Sequence, residues 1–239
     1  MSLRVVRIVL IGVTLMGVTG CYQPFALVRL AQWRLSGLLF YVPTLGNGFA
    51  LTFDDGPHPL YTDQVLAILE RYEAKATFFL IGSRIEKHPG YLEKIRAQGH
   101  QVANHLYVDR PTLHLQDEEF VESLEKTERL IQQTTPVKYF RPASGWIRRE
   151  QVRLARERNY QIVIGSAYVF DTLRPPRWYM RAALKAMLRP GAIIVLHDGG
   201  GDRQKTVDIL PDLLEHARKE NLIPVTLHEL VQQGEEAKR

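Results

Sequence analysis

Two adjacent carboxylates, Asp54 and Asp55, close the apolar run "FALTF" and are followed at once by Gly56-Pro57. Like charges side by side repel, and burying them is costly, so the pair predicts a compensating cation nearby. One source is a metal ion. His105 and Asp109 in "NHLYVD" stand four residues apart, so a helical or turn-like geometry lets both reach one ion, and Asp55 supplies a third donor. Three protein ligands with positions open for water and substrate are the pattern of a catalytic metal. The competing reading of these residues is a capping His105 and a solvated Asp109 paired with Arg110. A second source is Arg141: set against Asp54 it keeps that carboxylate ionised as a general base, and otherwise it is a structural ion pair under a loop. His197 follows the apolar run "AIIVL" and precedes Asp198 and Gly199-Gly200-Gly201, a place that fits a general acid and equally a core histidine satisfied by backbone. The three glycines lack the Lys-Ser/Thr ending of a phosphate loop. Ser144, in "RPASG", is not in a G-x-S-x-G elbow, so attack by metal-activated water is the simpler chemistry.

For these residues to meet, the chain must bring them to one place. After a lead-in ending near Gly48, strand and helix signals alternate. "FALTF" precedes a helix from about Thr62 with Val65, Leu66, Ile68, Leu69 and Tyr72 on one face. "ATFFLI" precedes a helix to about Gln98, closed by Gly99 as a left-handed cap. "QVAN" leads to a long helix opening near Asp117, with Phe120, Leu124, Thr127 and Ile131 at helical spacing. "KYF" with a helix through Leu154, "QIVIG" with a helix around Ala183, "AIIVL" with a helix through Leu214, and "IPVTL" with a short last helix follow. Seven strand-helix units in a row predict an α/β fold of parallel strands wrapped by helices. Asp54 and Asp55, His105, Arg141, Asp171, and His197 with Asp198 all fall at strand C-terminal ends, which in a parallel barrel share the face where active sites sit.

With 239 residues and 45% hydrophobic content the chain can bury one full-sized core, so one domain is expected. Charged residues at 24% argue against a disordered chain, and no solenoid repeat is visible. The net charge of +5 is spread among acidic neighbours, which excludes a nucleic-acid stripe and favours anionic surfaces such as cell wall or lipid headgroups. Arg4 and Arg7 precede an uncharged run, Ile8 to Gly20, with the form of an export signal. It ends in "VTGC", which resembles the lipobox of bacterial lipoproteins and would make Cys21 the acylated residue. Cys21 is the only cysteine, so no intramolecular disulfide forms. An uncleaved anchor, extended by the apolar stretch Phe25 to Val42, and plain cleavage are the other readings. All three place the rest of the chain outside the cytoplasm, and the first two attach it to a membrane. The expected organisation is a signal over 1–21, a lead-in over 22–48, the catalytic domain over 49–233 and a polar tail over 234–239.

Residues 49–233 resemble the NodB-homology polysaccharide deacetylases, carbohydrate esterase family 4. "TFDDGP" is similar to the family's first motif, "NHLYVD" to its second, His-Ser/Thr-x-x-His, "FRPASG" to its third, Arg-Pro-x-aromatic-Gly, and "VLHD" to its last, Leu-His. The resemblance implies a distorted (β/α)7 barrel of the glycoside hydrolase/deacetylase type. It implies a metal-dependent hydrolase removing N-acetyl groups from N-acetylglucosamine units of chitin oligomers or peptidoglycan. Carried over residue by residue, Asp54 is the base, Arg141 orients it, His197 is the acid and Asp171 tunes it. Asp55, His105 and Asp109 hold one divalent ion, zinc first, with cobalt, manganese or another divalent ion compatible with the Asp-His-Asp set. Leu196, Pro142, Ser144 and Gly145 border the substrate, and Trp178 or Trp146 stands in for the missing fourth-motif Trp. Asp109 replaces the second metal histidine and Ser144 the third-motif aromatic. The rival activities are an O-acetyl esterase of xylan type on the same scaffold and a catalytically silent glycan-binding protein using "RPPRWYM", residues 174–180.

Overall fold

The computed structural model describes residues 23–133 and 135–238. The expected export signal and Cys21 lie outside them. The chain enters through helix α1 (Phe25–Arg34) and a two-residue strand β1 (Leu38–Leu39). It continues through β2 (Gly48–Gly56), α2 (Tyr61–Arg71), β3 (Thr77–Leu80), α3 (Gly82–Lys87), α4 (Gly90–Ala97), β4 (Gln101–Asn104) and α5 (Asp117–Ile131). Next come β5 (Lys138–Phe140), α6 (Arg149–Glu157), β6 (Tyr160–Val163), β7 (Ala167–Tyr168) and α7 (Arg177–Met187). The described chain ends with β8 (Ile193–His197), α8 (Gln204–Lys219), β9 (Ile223–Val225) and α9 (Leu227–Glu236).

Every strand pairing among the described residues is parallel, in the order β1-β6-β5-β4-β3-β2-β8-β7, with β9 beside the start of β2. Although β6 and β7 lie towards opposite margins of that order, Val163 and Ala167 are only four Cα steps apart, about 14 Å at full stretch. The sheet therefore has to curl until its margins meet. The link itself joins them: the amides of Ile164 and Gly165 donate to the Leu39 carbonyl, and that of Ser166 donates to the Ile193 carbonyl. The result is a curled parallel sheet wrapped by helices, as the alternation predicted, with the distorted barrel form that the family resemblance implied.

Along β2 the side chains alternate between two apolar layers, as the two-residue period of a strand requires. Phe49, Leu51 and Phe53 join the large cluster under the outer helices. Ala50 faces the barrel interior with Phe79, Ala103, Tyr139, Val163 and Ile193, and Leu227 and Leu230 of α9 complete that cluster. Burial on both faces explains why this strand reads as an unbroken apolar run.

Local departures from the expectations have local causes. The helix expected as far as Gln98 is two helices, α3 and α4, divided at His88–Pro89 because proline lacks the amide a continuous helix needs. Gly99 does take the left-handed conformation, at φ +76. The last strand stops at Val225 because Thr226 caps α9: its hydroxyl accepts from the Glu229 amide while the Glu229 carboxylate accepts from the Thr226 amide. His197 is the final residue of β8, not one beyond it. The lead-in packs into the domain, since β1 pairs with β6 and the Tyr168 amide donates to Gln23 Oε1 at 2.9 Å. Among the described residues no helix is long and apolar enough to cross a membrane.

Candidate active site

Asp54 lies two residues beyond Thr52 and four beyond Ala50, so strand periodicity turns it into the barrel mouth. Regular pleating would send Asp55 the other way. Instead Asp55 takes φ +68 and the register against β3 shifts between Asp54 and Gly56. Such a bulge re-aims a side chain, and Asp55 Oδ1 comes to lie 3.4 Å from His105 Nε2. Gly56 is required at the next position because a Cβ there would stand 2.7 Å from both carboxyl oxygens of Asp198.

The cation that the carboxylates demand is Arg141. Its guanidinium donates to Asp54 Oδ1 at 2.6 Å and to Thr52 Oγ1 at 2.8 Å, and it lies over the Phe79 ring with its Cζ 4.1 Å from the centroid. Both side chains of this ion pair are at most 5% exposed, so water does not compete for the contact. The backbone of the same residue fixes the next group. His105 Nδ1 is 2.8 Å from the Arg141 carbonyl; a carbonyl only accepts, so Nδ1 carries the hydrogen and Nε2 is left facing Asp55.

Two acceptor atoms at that separation need something positive between them, a proton or a metal ion. Burial alone raises the Asp55 pKa, but the hydrogen bond and charge of His105, with His197 and Arg84 behind, outweigh it and bring the value to about 2. Burial likewise depresses His105, and Asp54 and Asp55 together hold it above the ordinary imidazole range.

On β8, His197 is the register partner of Asp54; its Nδ1 is 2.7 Å from Asp171 Oδ1, and the other Asp171 oxygen accepts from the His197 amide at 2.9 Å and the Thr206 hydroxyl at 2.8 Å. Burial depresses His197, but the Asp171 charge and hydrogen bond, joined by the charges of Asp54 and Asp55, overcome it and push the pKa up to about 9. The imidazolium is therefore the resting form at neutral pH. Its proton on Nε2 is free of the Asp171 bond, and the side chain remains 20% exposed.

The expected residues do not all converge. Asp109 is a correction: its carboxylate accepts from the Arg84 guanidinium at 2.6 Å and is half exposed. Among the described residues no group of three or more His, Cys, Asp and Glu is spaced to hold a metal. The spacing of four assumed a helical or turn-like geometry that carries both side chains to one ion, but the chain leaves β4 through Leu106 at φ +66, forms no helix before Thr112, and leaves Asp109 on Arg84. The pairing of Asp109 with Arg110 fails as well, since Arg110 binds Glu119. Leu196, expected to border the substrate, is fully buried in the main apolar cluster. Pro142 is buried, while Ser144 and Gly145 are exposed on a tight turn with Ser144 at φ +61. Trp178 is 70% exposed at the start of α7. A surface cavity of about 550 Å³ lined by Lys75, Gln98 and His100 lies instead at the N-terminal ends of β3 and β4, at the far end of the barrel.

Three contributors went unseen in the sequence. Thr206 orients Asp171. Thr62 donates to the fully buried Asp198 carboxyl at 2.5 Å, and burial pushes Asp198 up to about 7. Arg84 donates to the Asp55 carbonyl and to Asp109; its one sequence signal is its place just after a strand end, like the other site residues. The residues therefore fit a divalent ion as a pair, Asp55 and His105, with the imidazole in the tautomer a metal ligand requires.

A family model described as polysaccharide deacetylase matches residues 42–163. A peptidoglycan-N-acetylglucosamine deacetylase of Bacillus cereus is 32% identical over 201 residues, covering 80% of this chain and 91% of the relative. A chitooligosaccharide deacetylase of Rhizobium leguminosarum bv. trifolii is 36% identical over 155 residues, covering 62% of this chain and 70% of that one. The crystal structure of the Bc1960 peptidoglycan N-acetylglucosamine deacetylase superposes with a TM-score of 0.79 at 29% identity, covering 88% of this chain and 98% of the other.

Proposed function

The chain belongs to the polysaccharide deacetylase family, and from that membership we propose that it hydrolyses the N-acetyl groups of N-acetylglucosamine units in peptidoglycan or chitin oligomers, releasing acetate. The observation that carries the reading is a pair of groups at the barrel mouth, each held by a buried partner of opposite charge: Asp54, whose carboxylate accepts from the Arg141 guanidinium, and His197, whose Nδ1 lies against Asp171. Asp54 accepts the proton of the attacking water. His197 gives its Nε2 proton to the departing amine, which is too poor a leaving group as an anion. That requirement favours an amide over an ester, whose alkoxide leaves more easily. Asp55 and His105 would hold a divalent ion, zinc first, and an ion there supplies a Lewis acid for carbonyl and water. Asp109 is not assigned to that shell. Ser144, Gly145 and Trp178 offer exposed surface to the sugar chain. The reading includes action outside the cytoplasm, with attachment to the membrane through the segment that ends at Cys21.

Acetate release from acetylated chitin oligomers and peptidoglycan tests it, with wild type, Asp54→Asn and His197→Ala compared after zinc reconstitution. Each substitution is expected to lower kcat/KM by about 10²–10⁴, the span of general acid-base contributions. No acetate from any acetylated amide, with the wild-type protein folded and zinc-loaded, removes the proposal.

A further inference from the structure

Helix α1 is apolar on two sides. Its inner side is fixed: Val28 is buried, the Phe25 ring meets Tyr41 edge-on at 5.0 Å and lies under the Arg189 guanidinium at 4.6 Å, and Gln32 accepts from the Phe40 amide at 2.8 Å while donating to the Leu38 carbonyl at 3.1 Å. Its outer side carries Ala26, Leu30 and Trp33, spaced four and three apart and therefore one stripe. Leu30 is 49% and Trp33 71% exposed. Arg29 beside them is exposed, and the Arg34 guanidinium lies 4.9 Å from the centroid of the Trp33 ring. A helix packed on one side normally turns polar residues outward, and one that is apolar all round is covered all round. Among the described residues nothing covers this stripe.

Two further observations say what does. No Asp or Glu precedes Asp54 in the sequence, whereas Arg29 and Arg34 flank the stripe, so the surface matches an anionic partner. Gln23 is held to the domain by the Tyr168 amide, and Cys21 stands two residues before it, about 7 Å of chain at most. The uncharged run Ile8 to Gly20 thus ends a short step from the first turn of α1. The ten residues of α1 rise about 15 Å, half of a hydrocarbon core of about 30 Å, so the helix can lie on a bilayer but not cross it. Trp and Leu beside Arg are residues that settle at the headgroup boundary. We propose that the outer stripe of α1 is a lipid-contact surface: Leu30 and Trp33 enter the headgroup boundary of an anionic bilayer, Arg29 and Arg34 meet its headgroups, and the domain is held in one orientation instead of swinging on a tether. This rests on the reading that the segment ending at Cys21 attaches the chain to a membrane.

The test uses the full chain reconstituted in vesicles of phosphatidylcholine and phosphatidylglycerol, with Trp146→Phe/Trp178→Phe leaving Trp33 as the one tryptophan. If circular dichroism shows that variant unfolded, the difference in emission between wild type and Trp33→Phe isolates the same signal. Lipid brominated near the headgroup end of its acyl chains is expected to quench most of the Trp33 emission, and iodide in the water to quench little. Arg29→Gln/Arg34→Gln is expected to lower the ratio of docked to undocked helix about fivefold per charge removed, the pull of an anionic leaflet on one arginine, and to leave it unchanged on phosphatidylcholine alone. Three results overturn the proposal: Trp33 open to iodide in vesicle-bound protein, an unchanged ratio in the arginine variant on anionic vesicles, or protection from iodide that appears without lipid and grows with protein concentration, which would put a second copy on the face. Flotation separates the two levels. A chain that does not float with the vesicles removes the membrane attachment itself, whereas one that floats with Trp33 in water removes only the role of α1.

Discussion

At the scale of single residues the site works by opposition of charge. Asp54 and Arg141 are buried together, so removing one strands the other. Arg141→Ala is expected to destabilise the fold by about 3–5 kcal/mol, the usual cost of leaving a buried charge unpaired, and Asp54→Ala/Arg141→Ala by less than the two single changes summed; denaturant unfolding measures both. His197 gives a pH-dependent counterpart. Its folded pKa of about 9 lies above the unfolded imidazole value of 6.5. The stabilisation it provides is therefore complete below pH 6.5 and is lost as pH rises through about 9. In the metal-free protein an NMR titration should find the ring still protonated at about pH 8. Asp171→Asn should move that transition down, because the largest favourable contribution is the Asp171 charge. A midpoint near the ordinary imidazole value in wild type would contradict the arrangement.

Elements position these residues by leaving regular geometry where chemistry is needed. Among the described residues nine non-glycine residues have positive φ; Glu73, Gln132, Asn159 and Asn221 close helices, whereas Asp55 sits at the bulge in β2 and Leu106, Ser144, Phe170 and Arg174 in segments that follow strands. At Asp55 that departure re-aims a carboxylate at the barrel mouth, a use of backbone strain typical of functional sites. Gly56→Ala tests the turn that follows Asp55: its Cβ would press on the Asp198 carboxyl at 2.7 Å. It should cost about 1–3 kcal/mol through overpacking, read as a lowered Tm, and relieving it with Asp198→Ala should recover part of the loss. The same geometry explains what the sequence could and could not tell. Asp54, Asp55, His105, Arg141, Asp171 and His197 were legible because strand ends in a parallel barrel share a face. Asp109 was expected beside His105 on a helical or turn-like geometry, and the left-handed Leu106 that intervenes carries no mark in its side chain. Arg84 was invisible as one of 31 Lys and Arg residues, with nothing but its distance past β3 to single it out.

Across the whole molecule the barrel is closed by a short stretch of backbone and not by strand pairing all the way round. Ile164, Gly165 and Ser166 bond to Leu39 on one margin and Ile193 on the other. Gly165 is at φ +101, and a Cβ there would stand 2.5 Å from Val195 Cγ2, so this stretch tolerates little substitution. Hydrogen exchange should show those three amides protected as strongly as the β2 core and exchanging only with global unfolding; fast local exchange there would mean the seam opens independently. Arg141 lies against this seam, its Nε donating to the Val163 carbonyl at 3.4 Å while its guanidinium holds Asp54 and its carbonyl holds His105. A single side chain and its own peptide thus act as a shared hinge pin for two functions, and disturbing the rim of the barrel beside Val163 would put proton abstraction and cation holding out of line in the same movement.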